Sequence, residues 1–203
     1  IPASGTTIEM KNILYLFGNY GNQTIALIQW CLENLSIIKQ KFSGPISIEV
    51  VSIETGFQAT SWQEQVEKAE AYCHRIGFKT HRLIAKPNFI ELVKQKNSFP
   101  SAKFQWCSSF LKGLTFVDWL DKQDPRANAV IVLGRCSLFF SKKLPDWVNS
   151  SEYFGERALW FPLLQIEKSD FLRLIQNTGL KQVQGRSLEC EPCIYQKPDE
   201  FQR

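Results

Sequence analysis

The feature of the sequence that most constrains its fold is a short apolar run followed by a Gly- and Asn-rich turn and a long apolar segment. Residues 12–17 read NILYLF, the turn that follows reads GNYGNQ, and the apolar segment continues from residue 24 to about residue 38. This order predicts a buried strand, a loop and a helix that is apolar on most sides. Such a helix packs between a sheet and another layer.

Strand-type and helix-type segments alternate along the rest of the chain. Further strands are predicted at residues 46–53, 78–84 and 129–133, and further helices at residues 62–76, about 107–120 and 169–178. Residues 135–158 are interpreted as loop. We therefore expect an α/β fold with a Rossmann-like parallel sheet of about five strands, helices on both faces, and a C-terminal helical and cysteine-bearing tail.

Length and composition limit the classes of protein that this chain can represent. Residues 10–203 are expected to form a single domain, and residues 1–9, which precede the only methionine, are set aside as a tag or a disordered start. The net charge of +4 is spread over scattered Lys and Arg residues, which permits nucleic acid binding but does not imply it. Because no apolar run reaches about 18 residues, we expect no membrane span and a cytoplasmic protein.

The turn after the first predicted strand is a candidate phosphate-binding loop. A Gly-bearing loop between a strand and a helix can direct backbone N–H groups and the helix dipole toward an anion. Gly and Asn also form ordinary tight turns, so the loop by itself leaves both interpretations open.

Several short motifs follow one another along the chain after the loop at residues 19–24, which reads NYGNQT. They are Glu54-Thr55-Gly56-Phe57, Trp106-Cys107 with Leu111-Lys112, Leu133-Gly134-Arg135, residues 160–164, and Cys190-Glu191-Pro192-Cys193. In this order they resemble the motifs of the phosphoadenosine phosphosulfate (PAPS) reductase family, which belongs to the PP-loop superfamily. Where that family has Ser-Gly-Gly-x-Asp-Ser, the loop is a degenerate match that keeps Gly21 and Thr24.

The resemblance implies a site for an adenine nucleotide such as ATP, adenylyl sulfate or PAPS. Lys112 and Arg135, at a helix start and a strand end, are expected to contact phosphate or sulfate rather than to be solvated surface charges. The expected nucleotide-binding residues are Gly18, Asn19, Gly21, Asn22, Gln23, Thr24, Glu54, Thr55, Gly56, Lys112 and Arg135.

Three departures from the family pattern bear on catalysis. The carboxylate of the loop is replaced by Gln23, or by Asn22 if the alignment shifts by one residue, which removes a group that could help to hold Mg²⁺. Leu138 and Phe139 stand near the place of the family's Glu-Ser pair, although Lys142 and Lys143 could supply a basic phosphate ligand there. A redox-active cysteine in the C-terminal tail has no clear counterpart, so reductase activity is not expected.

The C-terminal Cys-x-x-Cys pair is a candidate metal site. Cys190 and Cys193 can reach one metal ion, but a zinc ion or a [4Fe-4S] cluster needs further ligands. By resemblance Cys107 is the third. The fourth is Cys136 for a cluster, or His74 or His81 for zinc, and unligated thiols are the remaining alternative. Cys31 and Cys73 lie on apolar helical faces and are expected in the core.

Two functions remain open at this stage. The first is an enzyme of sulfur or nucleotide chemistry that binds an adenine nucleotide and carries a metal cluster. The second is a nucleotide-sensing or partner-binding module of a larger modification or defence complex, whose loop has lost the carboxylate needed for turnover.

Overall fold

A computed structural model of the chain describes residues 12–101, 103–139, 144–185 and 187–195. The strands are β1 (Asn12–Phe17), β2 (Ile46–Glu54), β3 (Lys79–Ile84), β4 (Val130–Val132), β5 (Trp147–Ser151) and β6 (Arg157–Trp160). The helices are α1 (Asn22–Glu33), α2 (Leu35–Lys41), α3 (Thr60–Arg75), α4 (Phe89–Lys96), a π-helix (Cys107–Leu114), α5 (Thr115–Gln123) and α6 (Lys168–Thr178).

The described strands form one sheet in the order β3-β2-β1-β4-β6-β5. All neighbouring strands are parallel except β5, which runs antiparallel to β6. From β1 the chain moves outward through β2 to β3, and it then returns to place β4 on the other side of β1. Such a reversal opens a crevice beyond the carboxyl ends of the two strands on either side of it, here β1 and β4.

Both faces of the sheet are covered by helices, as the sequence predicted. Alternate side chains of β1 enter two separate cores: Leu14 and Leu16 pack with residues of α1, α3 and α6, whereas Tyr15 packs with residues of α4, the π-helix and α5. Cys31 and Cys73 are fully buried in the first core, as expected. The α/β class predicted from the sequence is therefore confirmed.

Three elements differ from the sequence-based expectations. The stretch interpreted as loop contains β5 and the start of β6, because this edge of the sheet is built from short strands with a weak apolar pattern. Helix α4 was not predicted; a capping box between Asn88 and Glu91 starts it. The first predicted helix is two helices, since the chain breaks at Asn34, whose side chain donates a hydrogen bond to the Trp30 carbonyl.

Arg157 connects β6 to the C-terminal end of α5 and the turn after it. Its side chain is 1% exposed and donates hydrogen bonds to Asp121 Oδ1 at 3.0 Å, to Asp124 Oδ2 at 2.9 Å and to the Asp124 carbonyl at 2.6 Å. A buried guanidinium needs this many acceptors to offset its lost hydration. The β6 edge thus depends on a buried ion pair as well as on apolar packing.

Within these described ranges, no helix combines the length and the apolar character that crossing a bilayer requires.

Candidate functional site

A cleft of 910 Å³ lies at the reversal of strand order beyond the carboxyl ends of β1 and β4. Eight of the residues predicted from the sequence line it: Gly18, Asn19, Gly21, Asn22, Gln23, Thr24, Lys112 and Arg135. They come from three separate parts of the chain, and the sheet topology brings them to one place.

The loop after β1 presents an open helix start to the cleft. Gly21 precedes α1, and no side chain caps the helix N-terminus and no acidic residue lies in its first turn. The loop is shaped by Tyr20, whose φ of +60° is left-handed, and by Asn19, whose Oδ1 accepts a hydrogen bond from the Gly21 N–H at 3.0 Å. The first N–H groups of α1 are therefore directed toward the cleft, where the helix dipole favours an anion.

Two glycines allow the close approach of backbones around this loop. A Cβ atom at Gly18 would lie 2.1 Å from Thr24 Oγ1, and one at Gly134 would lie 2.5 Å from the Gln23 carbonyl oxygen. Neither distance can accommodate a side chain, so both positions require glycine. Because Gly134 packs directly on the loop, Arg135 follows at the wall of the cleft, where its guanidinium also lies 6.0 Å from the Phe161 ring.

Lys112 enters the cleft from the π-helix, a rare geometry that is frequent at functional sites. Its Nζ lies 2.6 Å from Glu189 Oε2, and the carboxylate also accepts a hydrogen bond from Asn19 Nδ2 at 2.8 Å. Burial acts to lower the pKa of Lys112, but the negative charge of Glu189 and the neighbouring thiol of Cys190 offset it, and the net pKa is raised. The cleft thus contains a cation that is already paired with a carboxylate of the same chain.

Part of the tail after α6 lies across the loop as a strap, which we define as residues 183–185 and 187–191. The side chain of Asn22 donates to the Val183 carbonyl at 2.8 Å and accepts from the Val183 N–H at 2.9 Å. Farther along, the Ala59 N–H donates to the Leu188 carbonyl, and the Glu191 N–H donates to the Phe57 carbonyl. These hydrogen bonds hold the strap against both the loop after β1 and the segment between β2 and α3.

Of the residues predicted to bind nucleotide at the end of β2, Thr55 contacts the strap. None of Glu54, Thr55 and Gly56 lines the large cleft. Thr55 is fully buried, and its Oγ1 donates to the Glu189 carbonyl at 3.4 Å and lies 3.9 Å from Cys190 Sγ. Gly56 adopts a left-handed φ of +73° at the turn. In this arrangement Thr55 supports the strap, and its role as a direct nucleotide contact stays a prediction.

Of the three candidate metal ligands, Cys107 and Cys190 are electrostatic neighbours of Lys112, and Cys193 is a neighbour of Cys107. Cys190 and Cys193 also line a second cavity of 610 Å³. Burial raises the pKa of Cys107, and it raises the pKa of Cys190 to about 11, although the charge of Lys112 acts in the opposite direction on both. Among the described residues, no group of three or more Cys, His, Asp or Glu side chains is arranged to hold a metal ion. The cluster therefore stays a prediction.

The alternative fourth ligands lie elsewhere in the fold. Cys136 is buried in the core formed by α1, α3 and α6. His74 Nε2 lies 2.8 Å from Thr80 Oγ1, and His81 Nε2 lies 2.7 Å from the carboxylate of Glu49. Both histidines thus make local polar contacts with the sheet. Lys142 and Lys143, proposed as substitutes for a basic phosphate ligand, lie outside the described residues.

Sequence reasoning missed Glu189, Ser187 and Tyr153, which also line the cleft. Glu189 immediately precedes Cys190, but the pattern of the terminal motif indicates a function only for its two thiols. Ser187 Oγ accepts a hydrogen bond from Asn19 Nδ2 at 3.1 Å. Tyr153 is brought in by Gly113, where a Cβ atom would lie 2.0 Å from the Tyr153 hydroxyl oxygen, and no local sequence signal indicates that contact.

No protein-family model and no curated protein matches the sequence. Solved structures do resemble the chain. The PAPS reductase of Candida auris, in a phosphate complex, matches with a TM-score of 0.54 and 13% identity over 83% of this chain and 74% of that chain. The U34-tRNA thiolase NcsA of Methanococcus maripaludis, with its [4Fe-4S] cluster, matches with a TM-score of 0.56 and 13% identity over 98% of this chain and 66% of that chain.

A third neighbour is the FMN adenylyltransferase of Candida glabrata in complex with FMN and the ATP analogue AMPCPP. It matches with a TM-score of 0.50 and 14% identity over 81% of this chain, which spans 47% of that protein. Likeness at these identities shows the fold. The chain therefore shares the α/β fold of these three proteins, which confirms the Rossmann-like fold class predicted from the sequence.

Proposed function

We propose that the chain binds an adenine nucleotide, such as ATP, adenylyl sulfate or PAPS, in the cleft between β1 and β4. The observation that carries this proposal is the meeting of the loop, Lys112 and Arg135 around one opening. Phosphate or sulfate oxygens would accept hydrogen bonds from the N–H groups at the start of α1, and the two cations would balance their charge. The structural neighbours support this, since one is a phosphate complex and another contains an ATP analogue.

Sulfur or nucleotide chemistry is the activity class that we propose for this site. Cys107, Cys190 and Cys193 would be the ligands of an iron–sulfur cluster, with zinc as the alternative metal, and the cluster in the NcsA structure supports that choice. Because metal binding requires thiolates, loading would release protons from thiols whose pKa values are raised here. Anaerobic purification followed by iron, sulfide and zinc analysis tests this proposal. A metal-free protein in which all three thiols react freely with an alkylating reagent would contradict the cluster.

A catalytically degenerate module that senses nucleotide or binds a protein partner is the second candidate. Two observations favour it. The loop has the amide of Gln23 where a carboxylate would help to hold Mg²⁺, and the carboxylate nearest to Lys112 belongs to the strap of the same chain. In this alternative the nucleotide binds but is not cleaved.

The binding proposal is tested by two arginines that flank β4. Arg135 follows the strand at the cleft, whereas Arg126 precedes it and is exposed at the opposite end. Titration calorimetry with ATP, adenylyl sulfate and PAPS should show affinity falling about 10- to 100-fold in Arg135→Ala, because a hydrogen bond to a charged group contributes about 1.5–3 kcal/mol. Arg126→Ala should bind like the parent protein. Equal affinities in all three proteins would exclude this cleft as the anion site.

A further inference from the structure

We propose that a second surface, formed by α4, the described part of the loop after it (residues 97–101 and 103–106) and the π-helix, binds single-stranded nucleic acid. Residues 84–110 contain four lysines and one acidic residue, Glu91, and thus have a net charge of +3 without Lys112, which is paired with Glu189 in the cleft. Lys96 contacts two aromatic rings of this surface, and Lys86, Lys94 and Lys103 are exposed in the same segment of the chain.

Three phenylalanines are exposed on this surface. The exposed fractions are 65% for Phe99, 63% for Phe104 and 42% for Phe110. Large rings left in water are unfavourable, and several together on one surface are typical of an interaction site. Aromatic faces beside lysines match a nucleic acid strand, whose bases stack on rings while its phosphates meet the cations.

Ring and cation contacts connect Phe99 with Phe110 through two buried rings. Phe99 lies 6.2 Å from Phe89 between ring centroids, and Phe89 lies 5.8 Å from Trp106. Lys96 Nζ lies 5.8 Å from the Trp106 ring and 4.1 Å from the Phe110 ring. Phe99 in the loop after α4 and Phe110 on the π-helix are thus the exposed ends of one aromatic row, whose middle members Phe89 and Trp106 are buried.

Charge and ring exposure favour a single strand over other partners. The core of a protein interface is depleted in lysine, yet Lys86, Lys94 and Lys103 are exposed here with one carboxylate between them. In a duplex the bases are stacked on each other, so exposed phenylalanine rings would have no base to stack on. An unpaired strand offers bases that can stack on the rings and phosphates that can pair with the lysines.

The surface adjoins the candidate nucleotide cleft but does not depend on it. Ser108 and Lys112 of the π-helix line the cleft, while Phe110 of the same helix belongs to the aromatic row. A strand bound along the row would therefore place a nucleotide near the cleft mouth. Binding of the strand requires no ATP, so failure of the nucleotide-site proposal leaves this inference standing, and the reverse also holds.

Fluorescence anisotropy with labelled 12-nucleotide deoxythymidine and uridine strands tests the proposal. The parent protein should bind at least one of these strands at least tenfold more tightly than a duplex of equal length. If about four lysines contact phosphates, the logarithm of the binding constant should fall with the logarithm of salt concentration with a slope of about −3. Preference between the two strands shows whether the sugar is recognised.

Two variants separate stacking from charge. Phe99→Ala with Phe104→Ala should weaken strand binding at least tenfold with little change in the salt slope, since stacking on aromatic rings is lost. Lys94→Gln with Lys103→Gln should reduce the slope by about 1.4. Ile37→Ala with Lys39→Gln, an exposed apolar residue and an exposed lysine on α2, is the matched control and should bind like the parent protein.

Three results would overturn the inference. The first is duplex binding as tight as strand binding, and the second is unchanged affinity in the double phenylalanine variant. The third is equally tight binding of poly-glutamate with the same loss in that variant, which would assign the surface to an acidic protein partner. All variants change exposed side chains, and circular dichroism should confirm that they remain folded.

Discussion

Glu189→Gln provides the sharpest test of how the strap and the cleft interact. In the parent protein the Glu189 side chain is 8% exposed, and its Oε2 accepts hydrogen bonds from Lys112 and Asn19. Glutamine keeps the shape and the acceptor oxygen but removes the charge. Any nucleotide phosphate that pairs with Lys112 must first compete with that charge, so the substitution should change folding stability and nucleotide affinity in opposite directions.

The stability loss can be estimated from the exposure of the pair. Removing one partner of a fully buried ion pair costs about 3–5 kcal/mol. Lys112 is 28% exposed, and the amide oxygen of glutamine can still accept its hydrogen bond, so we expect a loss of about 2 kcal/mol. For a domain of this size that corresponds to a fall in Tm of about 4–8 °C.

Nucleotide affinity should rise as stability falls. Once its partner is neutral, Lys112 can form a charge-assisted bond to phosphate without displacing a carboxylate, and we expect binding to tighten about tenfold, or about 1.4 kcal/mol. Urea unfolding measures the first effect and titration calorimetry with ATP or PAPS measures the second. Glu191→Gln, two residues away and exposed, is the matched control and should change neither quantity.

Two outcomes would refute this reasoning. If Glu189→Gln weakens nucleotide binding as much as Lys112→Met does, the carboxylate positions the lysine and does not compete with phosphate. If the free energy of unfolding is unchanged, the pair does not stabilise the strap. Lys122→Met, an exposed lysine of α5, controls for the loss of a positive charge.

Gln23→Asp restores a carboxylate that can help to hold Mg²⁺, so the rate of pyrophosphate release from ATP should rise at least tenfold. Pyrophosphate release by the parent protein itself would contradict the degenerate module. Burial raises the pKa of Cys73 to about 12 and that of Cys190 to about 11, and unfolded thiols ionise near pH 8.5. The folded state therefore holds protons that the unfolded chain releases. The free energy of unfolding, measured from urea curves, should fall by about 1 kcal/mol per pH unit for each thiol above pH 9, and a free energy that does not change with pH there would contradict the burial of these thiols. Arg157→Met leaves Asp124 without its ion-pair partner and should cost about 3–5 kcal/mol in thermal unfolding, a value that an unchanged Tm would disprove.

The sequence was sufficient for those parts of the fold that have a local pattern. The apolar run of β1, the loop after it and the helix α1 follow one another without interruption, and the alternation of strands and helices implies a covered parallel sheet. Because a parallel sheet places the carboxyl ends of its strands at one edge, the meeting of Lys112 and Arg135 with the loop followed from their positions in the motifs.

Contacts between distant parts of the chain could not be predicted in the same way. Nothing near Glu189 in the sequence indicates that its partners are Asn19 and Lys112, which lie 170 and 77 residues away. The contact of Lys96 with the Phe110 ring likewise arises from the fold and from no local periodicity. Short edge strands such as β5 carry few apolar residues, so their pattern is too weak to be distinguished from loop.

Amide hydrogen exchange with and without saturating ATP or PAPS tests the central claim most directly. If the loop binds the anion, the N–H groups of residues 18–24 should be protected by the nucleotide, together with those of residues 133–135. The N–H groups of α2, which follows the far end of α1 and does not line the cleft, should remain unchanged. Protection confined to the second cavity beside Cys190 and Cys193, with residues 18–24 exchanging as before, would contradict the assignment of this cleft.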